Sequence, residues 1–132
     1  MHYLGTIDIE KYIKVTDKKI ITNQVIITDN RIQHIIERRG IEFYEKYAPK
    51  FMEIINDPDY IFRDKLSDTA IVCKTFVYDN GSSVNIVLRL SVEGDDPEQK
   101  NSIITAILEN SKRFAQRLRN NAVVYSKFDI IE

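Results

Sequence analysis

Between Val84 and Val92 the chain alternates, with apolar Val84, Ile86, Leu88, Leu90 and Val92 separated by Asn85, Arg89 and Ser91. A period of two places these sets on opposite faces of a strand, so one face is core and the other is at least partly wet. Residues 69–78 read as a partner strand, joined to the first by Asp79-Asn80-Gly81-Ser82, a strong hairpin signal. Ile71, Cys73 and Val77 are expected on its core face. With a two-residue loop, strand parity puts Lys74 on the same open face as Asn85 and Arg89.

Upstream, short apolar stretches alternate with charges over the first twenty-odd residues, which suits one or two short edge strands. The β-branched run at residues 24–28 predicts a strand entering a helix, with Thr28 or Asp29 as N-cap. Residues 31–39 read as that helix, burying Ile32, Ile35 and Ile36 and ended by Gly40. A second helix is expected over residues 41–56, kinked or split at Pro49 and stopped by Asp57-Pro58-Asp59. Downstream come an acidic loop at residues 93–98 and a β-leaning run at residues 102–107, whose end could equally begin a helix. A helix at residues 111–120 should bury Phe114, Ala115 and Leu118, and a last strand follows at residues 122–125. This order predicts an α+β fold, with N-terminal helices against a sheet and a late helix before the last strand. Without a linker, repeat or low-complexity tract, one domain over residues 1–132 is expected.

Composition narrows the chemistry. Lysine and arginine number 19 against 20 acids, which excludes a wholly basic nucleic-acid coat but not a local basic face. One cysteine excludes an intrachain disulfide framework or a cysteine-based zinc site. With two histidines, one beside the initiator methionine, neither a metal centre nor a cofactor is expected. No apolar run approaches the roughly 20 residues that span a bilayer, and the first residues lack the pattern of a secretion signal. The expectation is a soluble protein of a reducing, cytoplasmic compartment with no membrane partner.

Three groups of residues could carry function. Arg31, His34 and Arg38 share one helical stripe, where arginines could hold a phosphate beside a proton-exchanging imidazole. The plainer reading of that stripe is a surface helix with a half-buried histidine. Lys74, Asn85, Arg89 and Ser91 would make an anion-binding floor on the wet sheet face, or simply a solvated one. Lys112, Arg113, Arg117, Arg119 and Lys127 concentrate positive charge with no acid among them, which suits a phosphate backbone, an acidic partner protein or plain solvation. Cys73 should be inert packing, and Asp57 and Asp59 are explained by helix-stop and turn chemistry.

Several stretches in order resemble the phage-associated branch of the barnase/EndoU/colicin/RelE-like nucleases. They are residues 31–39, Asp57-Pro58-Asp59-Tyr60-Ile61, Asn101-Ser102-Ile103-Ile104-Thr105-Ala106 and the late Tyr125, so the resemblance runs mainly over residues 25–127. It implies two helices packed on a twisted antiparallel sheet, with an active site on the exposed sheet face. It also implies metal-independent RNA cleavage by a toxin-type or phage and mobile-element protein, with RNA, transfer RNA included, as substrate and a cognate antitoxin or immunity protein as partner. The family's first-helix histidine maps onto His34; where such stretches often end in arginine-histidine, this one ends Arg38-Arg39. The expected reaction is attack by the RNA 2′-hydroxyl on its own phosphate, leaving a cyclic phosphate. His34 would be base or acid, Lys74 and Arg89 would stabilise the phosphorane, and Ser102, Thr105 and Tyr125 would hydrogen-bond phosphate or make the second proton transfer. Arg31, Arg38, Arg39, Lys112, Arg113 and Arg117 would position the RNA backbone. The missing second histidine favours the alternative, a phage or prophage domain that keeps the fold to bind RNA or protein. A third reading is an immunity-type partner that makes contact through the acidic loop.

Overall fold

Thr28 starts the first helix as its sequence predicts, its Oγ1 accepting the Arg31 N–H at 3.2 Å. Gly40 ends it at φ +95°, a backbone angle that costs glycine little, and its N–H donates to Ile36 O. The computed structural model describes residues 1–128; residues 129–132, the tail of the single expected domain, lie outside the described residues. In chain order the elements are β1 (His2–Thr6), β2 (Gln24–Ile27), α1 (Asp29–Arg39), α2 (Ile41–Tyr47), α3 (Phe51–Asn56) and β3 (Tyr60–Arg63). They continue with β4 (Thr69–Thr75), β5 (Ser83–Arg89), β6 (Asn101–Glu109), α4 (Ser111–Asn120) and β7 (Val123–Ser126). A short 3-10 turn, Ala48–Lys50, separates α2 from α3, as the proline at its centre predicts.

The seven strands of the described residues form one sheet in the order β1-β2-β6-β5-β4-β3-β7. Strands β3 to β6 make an antiparallel meander, and the β2–β6 pair is parallel. The architecture is the expected α+β one. The early segment contributes one edge strand and two 3-10 turns, Ile9–Lys11 and Ile13–Val15. These turns are tied down by Tyr12, fully buried, whose hydroxyl donates to Ile55 O at 2.6 Å.

The sheet is buried on both faces near its middle. On what we call the helix face, Ala70, Val72, Val84, Ile86, Leu88, Ile103 and Ala106 pack with Ile35, Tyr47, Phe51, Ile54 and Ile55 from α1, α2 and α3. On the far face Phe62, Ile71 and Cys73 form a smaller core with Tyr60 and with Phe114 of α4. The far face is therefore not open along its whole width. Phe114 is the residue by which α4 holds it; Leu118, expected to be buried, is 38% exposed, because Arg117 rather than Leu118 turns inward.

The β4–β5 connection corrects the predicted parity. Strand β4 stops at Thr75, and residues 76–82 intervene before Ser83, with Val77–Asp79 coiled as a 3-10 turn and Asn80 in the left-handed region at φ +53°. Phe76 stays in the main core while Val77 lies outside the strand, fully exposed. The register pairs Thr75 with Ser83, Lys74 with Val84 and Cys73 with Asn85. An odd-length loop replaces the expected even one, so every β4 side chain changes face. Lys74 goes to the helix face, and Ile71 and Cys73 go to the far face.

Asn101 fastens the parallel pair. Its Nδ2 donates to Thr22 O (2.8 Å) and Gln24 O (3.0 Å), and its Oδ1 accepts Ser91 N–H at 2.8 Å. The side chain is fully buried, so truncation leaves backbone groups without partners. Asn101→Ala should cost about 2–4 kcal/mol, measured as a lower urea midpoint at unchanged m-value.

Candidate active site

The far face carries, row by row from one end to the other, Arg89 opposite Ser102, Val87 opposite Thr105, Asn85 opposite Ile107, and Ser83 opposite Glu109. At the Ser83 end, polar side chains are linked beneath α4. Ser83 Oγ donates to Asn85 Oδ1 (2.6 Å), and Asn85 Nδ2 donates to Glu109 Oε1 (2.7 Å). Arg117 closes a two-pronged pair on the same carboxylate, Nε to Oε1 at 2.9 Å and Nη2 to Oε2 at 2.8 Å. Ser83 and Asn85 are essentially inaccessible, and Glu109 is 6% exposed. Glu109 thus reaches solvent only at one edge, where an open pocket of about 190 Å³ is lined by Arg113, Gln116, Arg117, Asn120 and Asn121 as well as Glu109 itself.

Local sequence explains this assembly. Asn110 caps α4, its Oδ1 accepting Arg113 N–H at 2.9 Å, so the helix begins two residues after Glu109, with only the cap between strand and helix. Two helical turns later Arg117 comes back over the strand end. Burial is the largest influence on the Glu109 carboxyl and opposes its charge. The hydrogen bonds from Arg117 and Asn85, with the charges of Arg117 and Arg113, outweigh it and hold the group below the usual carboxylate range. The same pairing raises Arg117. Burial pushes the adjacent Cys73 thiol far up, so it is packing and not a nucleophile.

Of the expected site residues, Arg89, Ser102 and Thr105 lie on the far face; Lys74 and Tyr125 do not. Lys74 is 8% exposed and donates from Nζ to Asp57 O (2.8 Å) and Asp57 Oδ2 (3.0 Å). Lys127 reaches the same Oδ2 at 3.3 Å. Asp59 Oδ2 accepts Thr75 N–H at 2.9 Å, so Asp57 and Asp59 clamp the end of β4 in addition to stopping α3. Lys74, then Lys127, hold the Asp57 carboxyl below its ordinary range. Arg89 is on the expected face but occupied: Asp95 takes both of its terminal nitrogens at 3.2 and 3.3 Å, Asp68 lies at 4.0 Å, and Leu90 O accepts from Nη1. The predicted convergence of Lys74 and Arg89 is therefore overturned by the register, and Arg89's charge is spent on the acidic loop. Ser91 departs from the floor as well, buried and donating to Gln99 O at 2.9 Å.

His34 is half-buried on α1, and Arg31, His34, Arg38, Lys112, Arg113 and Arg119 make no ion pair among the described residues. Arg39 donates from Nε to Ala106 O at 3.1 Å, which sets the end of α1 beside the middle of β6. Thr105, the preceding residue, has a buried hydroxyl without a partner among the described residues. The other histidine, His2, is committed to Asp29 at 2.5 Å. Strand β6 thus meets α1, packed on the helix face, through Arg39 and α4, packed on the far face, through Arg117, so the expected convergence of His34 with the far-face cations is not found. Glu109 was not singled out from sequence; the signal available was a lone acid closing an apolar strand immediately before a basic helix. Among the described residues no three His, Cys, Asp or Glu side chains gather as a metal centre requires, and no helix is long and apolar enough to cross a membrane.

A family model described as phage-Barnase-EndoU-ColicinE5/D-RelE like nuclease2 matches residues 1–126. No curated protein and no solved structure matches the chain.

The lowered Glu109 carboxyl has a measurable consequence. A group depressed in the folded state is stabilising above its unfolded value, and that contribution is lost as pH falls through the folded value. Unfolding free energy should therefore drop as pH falls below the usual glutamate range, and Glu109→Gln should flatten that slope in denaturant titrations run at successive pH values.

Proposed function

Because the chain belongs to the phage-Barnase-EndoU-ColicinE5/D-RelE like nuclease2 family, we propose that it is a metal-independent endoribonuclease working on the far face of the sheet along β6. The observation that carries this reading is the Glu109–Arg117 pair, a carboxylate and a guanidinium fork meeting at the floor of an open pocket rimmed by Arg113 and side-chain amides. An RNA phosphate entering there competes with Glu109 for Arg117, since a phosphate offers the fork the same paired oxygens. As Arg117 turns to the phosphate, Glu109 loses the bond that suppresses its basicity and takes the proton of the 2′-hydroxyl. The 2′-oxygen attacks phosphorus, and the P–O5′ bond breaks to leave a cyclic phosphate and a 5′-hydroxyl. Arg113 and Arg117 offset the charge on the phosphorane. The leaving oxygen takes its proton from water, because α1 with His34, Arg31, Arg38 and Arg39 packs on the helix face, across the sheet from Glu109. Ser102 supplies a hydroxyl contact along the strand, and Lys112 holds the flanking backbone. RNA is selected over DNA because the nucleophile is the 2′-hydroxyl. A cognate antitoxin or immunity protein would cover the same cationic face, and a cytoplasmic location would bring the enzyme to its substrate.

One observation favours a non-catalytic RNA- or protein-binding domain instead: Arg89 and Arg117 are both already satisfied by acids. Incubation with single-stranded RNA in excess chelator separates the two readings. Wild type should yield cyclic-phosphate ends, Glu109→Gln should slow cleavage by roughly 10²–10⁴ with circular dichroism unchanged, and His34→Ala should cleave as wild type does. A wild-type rate in Glu109→Gln removes Glu109 from the chemistry. Retained RNA binding without cleavage by the wild type selects the binding domain.

A further inference from the structure

Away from the far face, a groove runs between the 3-10 turn Ile13–Val15 and the β3–β7 edge of the sheet. One half encloses about 540 Å³ against Ile13, Val123, Val124 and Tyr125. The other, about 310 Å³, continues past Lys18 and Lys65. Thr16, Asp17 and Arg63 line both halves, so the two are one groove with Arg63 at its waist. The first half alone is within the size range of small-molecule sites.

We propose that this groove binds a 5′-nucleotide, either free or as one unit of an RNA strand, at a site separate from Glu109. Three kinds of group that a nucleotide needs line it. The first half, mixed in character, includes Ile13 (48% exposed) and Val123 (42% exposed), which offer a base an apolar patch now left to water. Tyr125 adds a ring that attracts positive charge, with Lys11 Nζ 5.6 Å from its centroid. Asp17, exposed and without an ion-pair partner among the described residues, is an acceptor for ribose hydroxyls. Arg63 is the phosphate group's partner. Its Nη2 donates to Lys14 O at 2.6 Å, which orients the guanidinium, and it makes no ion pair among the described residues although Asp17 and Asp64 line the same groove. Lys14 and Lys65 flank it with further positive charge, while Lys18 is paired with Asp68 at 3.6 Å. A bare phosphate would use only the waist, and a nucleoside only the apolar patch and Asp17; a nucleotide uses all three.

Isothermal titration calorimetry on the full chain tests this with four probes: adenosine 5′-monophosphate, its 2′,3′-dideoxy form, adenosine and inorganic phosphate. The ribonucleotide should bind saturably below about 1 mM and at least about tenfold more tightly than each of the other three. Arg63→Gln should weaken it by about tenfold or more, and Asp17→Asn should erase the preference for the ribose hydroxyls. Competition by a short single-stranded RNA identifies a strand as the source; nucleotide binding without competition identifies the free ligand. The proposal fails if the ribonucleotide gives no saturable heat, or if Arg63→Gln and Asp17→Asn both bind like wild type. Cleavage activity does not enter any of these readouts, so the outcome is independent of the ribonuclease reading.

Discussion

The register that sets Thr75 against Ser83 governs what each face of the sheet carries. Side chains on a strand alternate, so adding or removing one residue in the connection exchanges the faces of an entire strand. Phe76 determines the outcome: keeping its ring in the main core draws the chain onward past the end of β4, and the 3-10 turn Val77–Asp79 takes up the slack. Asn85 then falls on the same side as Cys73 and Ser83, within reach of Glu109, while Lys74 is carried to the other side.

Burying Lys74 has its own requirement. An ammonium group removed from water is tolerated only with charged and hydrogen-bonding partners, and Asp57 supplies both a carboxylate and a carbonyl. The Asp57-Pro58-Asp59 segment therefore does more than end a helix. One carboxylate receives Lys74 and Lys127, the other receives the Thr75 amide, and the strand end is held at the point where the register is set. The same logic applies at Asn101 and at Glu109, where a single buried polar side chain answers two or three groups that would otherwise be stranded.

Charge separation links this framework to function. A chain with net charge of -1 places its acids on Arg89, Lys74 and one edge of Arg117 while α1 and α4 keep cations free of ion pairs among the described residues. The free cations of α1 lie on the helix side of the sheet and those of α4 on the far side, so only the latter border the Glu109 pocket.

Local chemistry written into the chain decided the helices and most of the strands. Thr28, Gly40, Pro49 and Asn110 act within a few residues of themselves, so α1, the α2–α3 break and α4 were legible, as was the α+β order. Strand β3 was missed because its short apolar run shows no alternation long enough to mark it. The candidate site was legible only in kind, as a basic late helix beside the strand at residues 101–109; the first-helix histidine packs across the sheet from it. Which of these meet depends on long-range packing. No local signal says that Phe76 keeps the β4–β5 loop odd, that Asp95 occupies Arg89, or that Arg117 turns back onto Glu109, because each is a choice between partners far apart along the chain and becomes unique only once the two faces of the sheet are filled.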